Sequence, residues 1–348
     1  MARVRIGFIG AGWWATDNHI PRLKRRDDVE LAAVCRPGAE TLELVRKEFG
    51  FGFATEDYRE LLKQELDGVV VVSPHHLHYE HASAALACGC HVMCEKPMAL
   101  RAAKAWELVE LAERQERHLL VPYGWHYKPF LQQAKRLMME GAVGEVQYVL
   151  CHMASPTIGL FTGDGLALPE TDALVLPIDV STWQTRSQGG GYAHGQLTHA
   201  SALMFWLTGL RAKQVSAQIT RPNSEVDLYN SASVIFENGA IGTMSGAGTL
   251  PEADKFQLDV RVFGEKGVLV IDVNREQLEL RSRDGRHQRF EIPDGEGAYS
   301  CEGPPDRFIE LIQGTGSNDS PGEVAARSVE MIDAMFRSAD QAGAPVAV

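Results

Sequence analysis

Through the first third of the chain, short apolar runs rich in β-branched residues alternate with longer stretches of helical periodicity. The runs are "VRIGFIG", "VELAAVC", "GVVVVS", "HVMCE" and "HLLVPYG". Strands this continuously apolar are buried on both faces, which predicts a parallel sheet flanked by helices over residues 1–122. After Tyr123 the pattern changes. An amphipathic stretch, "PFLQQAKRLMMEG", leads into a strand, "EVQYVLCHM", and residues 155–188 then follow with no assignable period. So long an irregular segment inside a compact region reads as a binding loop. A helix at 193–208 precedes a series of strand patterns ("KQVSAQIT", "SASVIFEN", "AIGTMSGAG", "FQLDVRVFG", "GVLVID", "QLELRS") separated by turn signals such as "ENG" and "GEKG". This predicts an α+β second domain over 123–348 with a large, mostly antiparallel open sheet, finished by an amphipathic helix that stops near Gly343.

Composition narrows the partners. The 348 residues carry 34 Lys and Arg against 46 Asp and Glu, a formal charge of −12, with one short basic stretch, "RLKRRDD". That balance argues against nucleic acid and anionic membranes. The start, "MARVRIGFIGAG", lacks the order of a signal peptide, and no apolar run approaches the roughly 20 residues that span a bilayer. A soluble, cytoplasmic protein is expected. The six cysteines are too few and too scattered for a disulfide scaffold, and the spacing of Cys88, Cys90 and Cys94 fits buried thiols better than a metal site. No metal is expected.

The segment "IGFIGAGWWATDNHIP" places Gly10, Gly12 and Ala15 in G-x-G-x-x-A spacing between a buried strand and a helix. Such glycines allow a tight turn and close backbone approach to a pyrophosphate, and the small third residue lets helix and strand pack. Trp13 and Trp14 lie inside this turn and are grouped with it as cofactor-binding. The second strand ends in Cys35 and Arg36, where an Asp or Glu would hold the ribose hydroxyls of NAD. Arg36 can neutralise a 2′-phosphate, which favours NADP; as a solvated residue it would leave NAD, held by backbone groups.

The stretch "SPHHLHYEHASAALACGCHVMCEKPMAL", residues 73–100, resembles the Gfo/Idh/MocA family, the glucose-fructose oxidoreductase and inositol dehydrogenase group. The likeness extends over the whole chain through the glycine turn, "EKP", "GAVGEV", the Gly-rich lead into a His-bearing helix, and the closing helix. It implies a Rossmann dinucleotide-binding domain followed by an oligomerisation and substrate domain, and an assembly of two or four copies. It also implies that Lys96 is a catalytic, substrate-contacting lysine, that Glu95 lies beside the nicotinamide ribose, and that Pro97 follows a cis bond. Physical logic agrees for Lys96, because the C-terminal end of a buried parallel strand points into the ligand crevice, and partial desolvation lowers a lysine's pKa. Ser73 and Pro74 match the family's turn over the cofactor, His75 stands where Asn is usual, and His78 matches the family histidine, either as a cofactor-side residue or as one that orders the turn. His76 and His81 are read as surface residues. In "PYGWHYKPF", His126 replaces the family's Arg and Tyr127 its Phe; Trp125, His126 and Tyr127 either line a sugar pocket or pack at a domain junction.

Within "GGGYAHGQLTHA" the family's catalytic histidine falls on His199, and its usual Asp falls on Gly195. On an α-helix, position 195 lies about 40° from 199, Gln196 about 60° and His194 about 140°. Gln196 can take over hydrogen bonding without the charge, and His194 is a secondary substrate candidate. Trp183 in the preceding loop is a further substrate candidate. The implied activity is hydride transfer between a nicotinamide and a secondary hydroxyl or ketone of a sugar, inositol or related polyol. The alternatives are a redox-neutral glycosidase or lyase that keeps its nucleotide, and a nucleotide-sensing regulatory protein, against which the presence of both Lys96 and His199 argues.

Overall fold

Six parallel strands form the first sheet: β1 (Val4–Ile9), β2 (Val29–Cys35), β3 (Phe53–Thr55), β4 (Gly68–Val71), β5 (His91–Cys94) and β6 (Leu119–Leu120). The computed structural model describes residues 3–163, 175–251 and 253–348. The strand order is β3-β2-β1-β4-β5-β6, the doubly wound arrangement of a Rossmann domain. The chain reverses direction across the sheet between β1 and β4, so the turns that follow these two strands open the crevice where such sheets take ligands. Ile6, Phe8 and Ile9 of β1 are at most 1% exposed, as the uninterrupted apolar run required.

The chain divides into two compact units. The first comprises Met1–Gly124, Leu168–Thr182 and Ser300–Ala326, and the second Trp125–Ala167, Trp183–Tyr299 and Arg327–Val348. Residues 300–326, which the sequence pattern groups with the second sheet, therefore pack with the first. Phe308, Ile309 and Leu311 of the Gly303–Ile312 helix join Ile6, Phe8, Val34, Val70 and Met93 in one buried cluster. Leu176, from the described part of the long loop, joins the same cluster.

The second unit holds a nine-stranded sheet made of β7 (Val146–Ala154), β8 (Ala212–Thr220), β9 (Tyr229–Phe236), β10 (Ile241–Ala247), β11 (Gln257–Gly264), β12 (Gly267–Asp272), β13 (Gln277–Ser282), β14 (His287–Phe290) and β15 (Val346–Ala347). Their order is β14-β13-β12-β11-β7-β10-β9-β8-β15, antiparallel except where β10 runs parallel to β7. Alternation is strict in β9, where Asn230, Ala232, Val234 and Phe236 are buried and Tyr229, Ser231, Ser233 and Ile235 are exposed. Against the buried face lies the Thr198–Thr208 helix, whose residues from Thr198 to Leu207 are all buried; a helix this apolar all round belongs in a core. Ser328 fastens it, bonding to the Ser201 hydroxyl and the Thr198 carbonyl. Among the described residues no helix is long and apolar enough to cross a membrane.

Candidate active site

The candidate residues fall into two groups, one in each unit. In the first unit, Gly10 has φ +87°, and a Cβ there would sit 2.4 Å from the backbone nitrogen of Ser73. Only glycine lets the turns after β1 and β4 approach so closely. Gly12 is the opposite case: it is exposed, and a Cβ would meet nothing within 4 Å, which leaves its backbone open to a phosphate group. Ala15 is fully buried, as the third position of the turn requires. Trp13 and Trp14 meet edge to face at 5.2 Å. The helix that follows differs from the regular one expected. Ala15–His19 forms a π turn in which the Ile20 N–H reaches the Ala15 carbonyl five residues back.

β2 itself ends in Cys35, followed by Arg36, rather than in a carboxylate. Cys35 is buried, and desolvation pushes its thiol up to about 11, so it is neutral. Arg36 is half-buried and donates from Nη1 to the Ala11 carbonyl at 2.9 Å and from Nε to that of Pro37 at 3.2 Å. The neighbouring acids are already engaged. Glu56 accepts the Gly38 N–H at 2.5 Å, and Asp57 accepts the Arg59 N–H at 2.9 Å.

The turns after β4 and β5 are tied together by histidines. His78 lies between the Ser73 carbonyl (Nε2, 2.6 Å) and the Pro97 carbonyl (Nδ1, 2.7 Å), and burial pushes its pKa down. It is packed between two backbone turns, and the neutral ring that burial favours donates to one of the two carbonyls. His81, read from sequence as a surface residue, is buried, with Nδ1 2.8 Å from Ser73 Oγ and its ring against Tyr58 at 4.6 Å. The contact with Ser73 covers this face of the His78–Ala87 helix, which the local sequence does not reveal. His75 is buried 5.7 Å from the His78 ring, while Pro74 and His76 are exposed.

Glu95 and Lys96 follow β5 and are each 6% exposed, and the Lys96–Pro97 peptide is cis. Glu95 Oε1 accepts from Trp14 Nε1 at 2.9 Å and lies 2.7 Å from His19 Nε2, while Oε2 accepts the Lys96 backbone N–H at 3.0 Å. Burial works to raise the pKa of Glu95, but the His19 contact, the Lys96 charge and the Trp14 hydrogen bond outweigh it and hold it at about 2. Lys96 is shifted the other way. Burial lowers its pKa and the Glu95 charge partly restores it.

In the second unit, the helix expected at 193–208 opens as a second π turn, Ala193–Leu197, in which the Thr198 N–H bonds to the Ala193 carbonyl. The α-helical angles do not apply across it, but the two histidines still have different surroundings. His199 lies edge-on to Trp125 at 5.6 Å and to Tyr299 at 5.1 Å. His194 packs on Phe336 at 5.1 Å. His126, expected at the substrate, is instead fully buried and stacked flat on Trp206 at 4.6 Å, a core position. Gln196 is 8% exposed. Gly195, where the resemblance led to an expected Asp, has its side-chain space filled: a Cβ would come within 2.8 Å of the Trp183 ring and 3.2 Å of Phe161. An indole therefore occupies the place of a carboxylate. Residues 164–174 of the expected binding loop lie outside the described residues.

Three groups here carried no sequence signal strong enough to single them out. His19 follows the inward-facing Ala15 by four residues, which marks the right face but not the partner. Tyr299 lies a hundred residues from the histidine it meets. Asp227 is 1% exposed and organises the Gly-rich lead to His199: its Oδ2 accepts the Ala193 N–H at 2.8 Å and Asn230 Nδ2 at 2.9 Å, while its Oδ1 fills the space a Cβ at Gly191 would need. A buried carboxylate at a helix start satisfies otherwise orphaned N–H groups.

A family model described as "Oxidoreductase family, NAD-binding Rossmann fold" matches residues 4–123, and a model of the GFO/IDH/MocA C-terminal domain matches residues 131–270. The chain belongs to the GFO/IDH/MocA oxidoreductase family. Relatives in this family include the D-xylose 1-dehydrogenase [NADP(+)] of Haloarcula marismortui, 31% identical over 45% of this chain and 45% of that protein. Another is the D-glucoside 3-dehydrogenase of Escherichia coli, 33% identical over 47% of this chain and 48% of that protein. The chain thus spans about half the length of these curated relatives in the matched regions. A levoglucosan dehydrogenase solved with NADH and L-sorbose shares the fold, with a TM-score of 0.79 at 20% identity, covering 100% of this chain and 99% of that one. The open turn at Gly12 and the close approach at Gly10 fit the NAD or NADP that a Rossmann domain of this family binds.

Two outcomes are expected. Gly195→Asp forces Trp183 or Phe161 aside, so it lowers the melting temperature and alters tryptophan fluorescence; adding Trp183→Ala recovers much of the lost stability, a coupling that a thermal-melt double-mutant cycle reads. Burial holds His81 at about 4 against an ordinary 6.5. The unfolded chain therefore binds a proton there before the folded one does, and stability present above pH 6.5 is lost as pH falls through about 4. Melting temperatures of His81→Gln should fall less steeply than the wild type's across that window.

Proposed function

We propose that the protein is an NAD(P)-dependent dehydrogenase that transfers hydride between the nicotinamide and a carbon bearing a secondary hydroxyl of a sugar, inositol or related polyol. The observation that carries this reading is the buried Glu95-Lys96-cis-Pro97 turn at the C-terminal end of β5, in the same sheet as the open phosphate-binding turn at Gly10 and Gly12. The names of the relatives above, which act on xylose and glucosides, support the substrate class. The bound nucleotide supplies the hydride acceptor or donor. Lys96, kept in a buried place by its neighbouring carboxylate, stabilises the charge that develops on the substrate oxygen. His199, set edge-on to the Trp125 and Tyr299 rings, accepts the hydroxyl proton. Trp183 offers a flat apolar face to a sugar ring where the family's carboxylate would have offered a hydrogen bond.

Lys96→Ala and His199→Ala should each lower kcat roughly 10²-fold or more in a coupled reduction assay while NADH still binds. If both residues serve one proton-transfer step, the double mutant loses far less than the product of the two. Full activity in either single mutant would overturn its assignment. Net cofactor reduction with a polyol separates this reading from a redox-neutral glycosidase, which shows none.

For the cofactor we favour NADP, because Arg36 closes the end of β2, Cys35 is an uncharged thiol, and Glu56 and Asp57 are committed to backbone amides. Arg36→Ala should weaken NADPH binding by about ten-fold or more, with little change for NADH, as charge-assisted contacts of this kind are worth about 1.5–3 kcal/mol. Equal losses for both nucleotides, measured by fluorescence titration, would assign Arg36 to the turn alone.

A further inference from the structure

His19 is 1% exposed and stands 76 residues from Glu95 in the chain, yet its Nε2 meets Glu95 Oε1 at 2.7 Å. The π turn at Ala15–His19 makes this contact possible. The inserted residue lets Trp14 and His19, five positions apart, reach one carboxylate oxygen, and π turns of this kind recur at functional sites. Glu95 accepts hydrogen bonds and the Trp14 indole can only donate, so His19 must carry its proton on Nε2. Its Nδ1 is buried without a hydrogen-bond partner among the described residues. The ring thus makes one strong polar contact, and that contact is Glu95.

The carboxylate so held acts on the residue that follows it. Glu95 Oε2 accepts the Lys96 backbone N–H at 3.0 Å, and the Glu95 charge is the largest influence that opposes the desolvation of the Lys96 ammonium. Among the described residues, other ionisable groups that act on Glu95 or Lys96 include His78, Cys94 and Cys301, with Asp17 beyond Cys301. Burial drives each of the first three toward its neutral form: the His78 pKa is lowered, the Cys94 thiol is raised, and the Cys301 thiol is pushed up to about 12. Glu95 is thus an ionised group that acts directly on Lys96.

We propose that His19 is a positioning residue for Lys96: by its hydrogen bond it fixes Glu95 as an oriented anion, which in turn sets the place and charge of the lysine. In this role His19 acts through Glu95. This role rests on the assignment of Lys96 to the reaction, so its test needs one measurement that requires no turnover.

Selective 13C labelling of glutamate, with the Glu95 signal assigned from the spectrum of Glu95→Gln, follows the ionisation of Glu95 in the full-length protein without substrate. In the wild type the signal should remain that of a carboxylate down to about pH 3. His19→Leu removes a donor to a buried carboxylate, so its titration should move up by about one to two pH units, the equivalent of a charge-assisted hydrogen bond. His19→Gln places an amide N–H near the position of Nε2 and should restore wild-type titration. The acid limb of kcat/KM should follow the same order, moving up in His19→Leu and returning in His19→Gln, with KM for the polyol changing less than kcat. If His19→Leu does not fold, His19→Asn, whose donor is too short to reach, serves in its place. An unshifted Glu95 titration in His19→Leu, or a His19→Gln variant that behaves like His19→Leu, would overturn the role. If the wild type oxidises no polyol, the dehydrogenase reading fails, and the glutamate titration still decides whether His19 governs Glu95.

Discussion

A carboxylate buried at the end of a parallel strand is the constraint around which the first unit is arranged. Removing Glu95 from water without compensation would cost several kcal/mol, and the usual response of such a group is to take up a proton. Here three donors from separate places in the chain, Trp14, His19 and the Lys96 backbone, keep it ionised. Each donor constrains its own segment. The glycine turn must deliver Trp14, the turn after it must be a π turn to deliver His19, and the strand must end so that Lys96 bends back onto its neighbour's side chain. The phosphate-binding turn and the candidate catalytic lysine are thereby coupled through one ion.

The second unit repeats the theme with different chemistry. Asp227 is buried, and its carboxylate is absorbed by the Ala193 N–H and the Asn230 amide, which sets the start of the helix that carries His199. Burial pushes its pKa up, the reverse of Glu95, because desolvation outweighs the Asn230 and Ala193 hydrogen bonds and the Arg221 charge that act to lower it. Gly191 and Gly195 are both explained by what stands in their side-chain space, the Asp227 carboxylate for one and the Trp183 indole for the other. At 195, where the resemblance leads to an expected Asp, the structure has an aromatic surface against the glycine rather than an empty position. The two π turns in the described residues open the segments that carry His19 and His199, where one extra residue re-aims a side chain without breaking the helix that follows.

Much of the fold was legible in the sequence, since burial on both faces leaves continuous apolar runs and burial on one face leaves alternation. β1, β2, β4 and β5 read directly, as did the alternating β9. Residues 300–326 did not, because an amphipathic helix shows that it packs but not on which sheet. The turns around the candidate site were legible where packing and backbone geometry demand a residue type, at Gly10 and Ala15. His81 was misread as a surface residue, and His126 was left open between a sugar pocket and packing, for a shared reason. A histidine suits a core stack, a hydrogen-bonded turn and a ligand site equally well, and only its neighbours distinguish them: Trp206 for one, Ser73 and Tyr58 for the other.

By itself the sequence determined the two-domain class and the glycine turn, because those depend on local period and on glycine stereochemistry, and its motifs carried the resemblance that singles out Lys96 and His199 as candidates. Tertiary structure alone decided what surrounds them. The pairing of His19 with Glu95 spans 76 residues, and the meeting of His199 with Tyr299 spans a hundred; the filling of Gly195's space by Trp183 depends on a π turn that no periodicity announces. Protonation state and orientation follow from desolvation and from donors brought together by packing, quantities that exist only once the chain has folded.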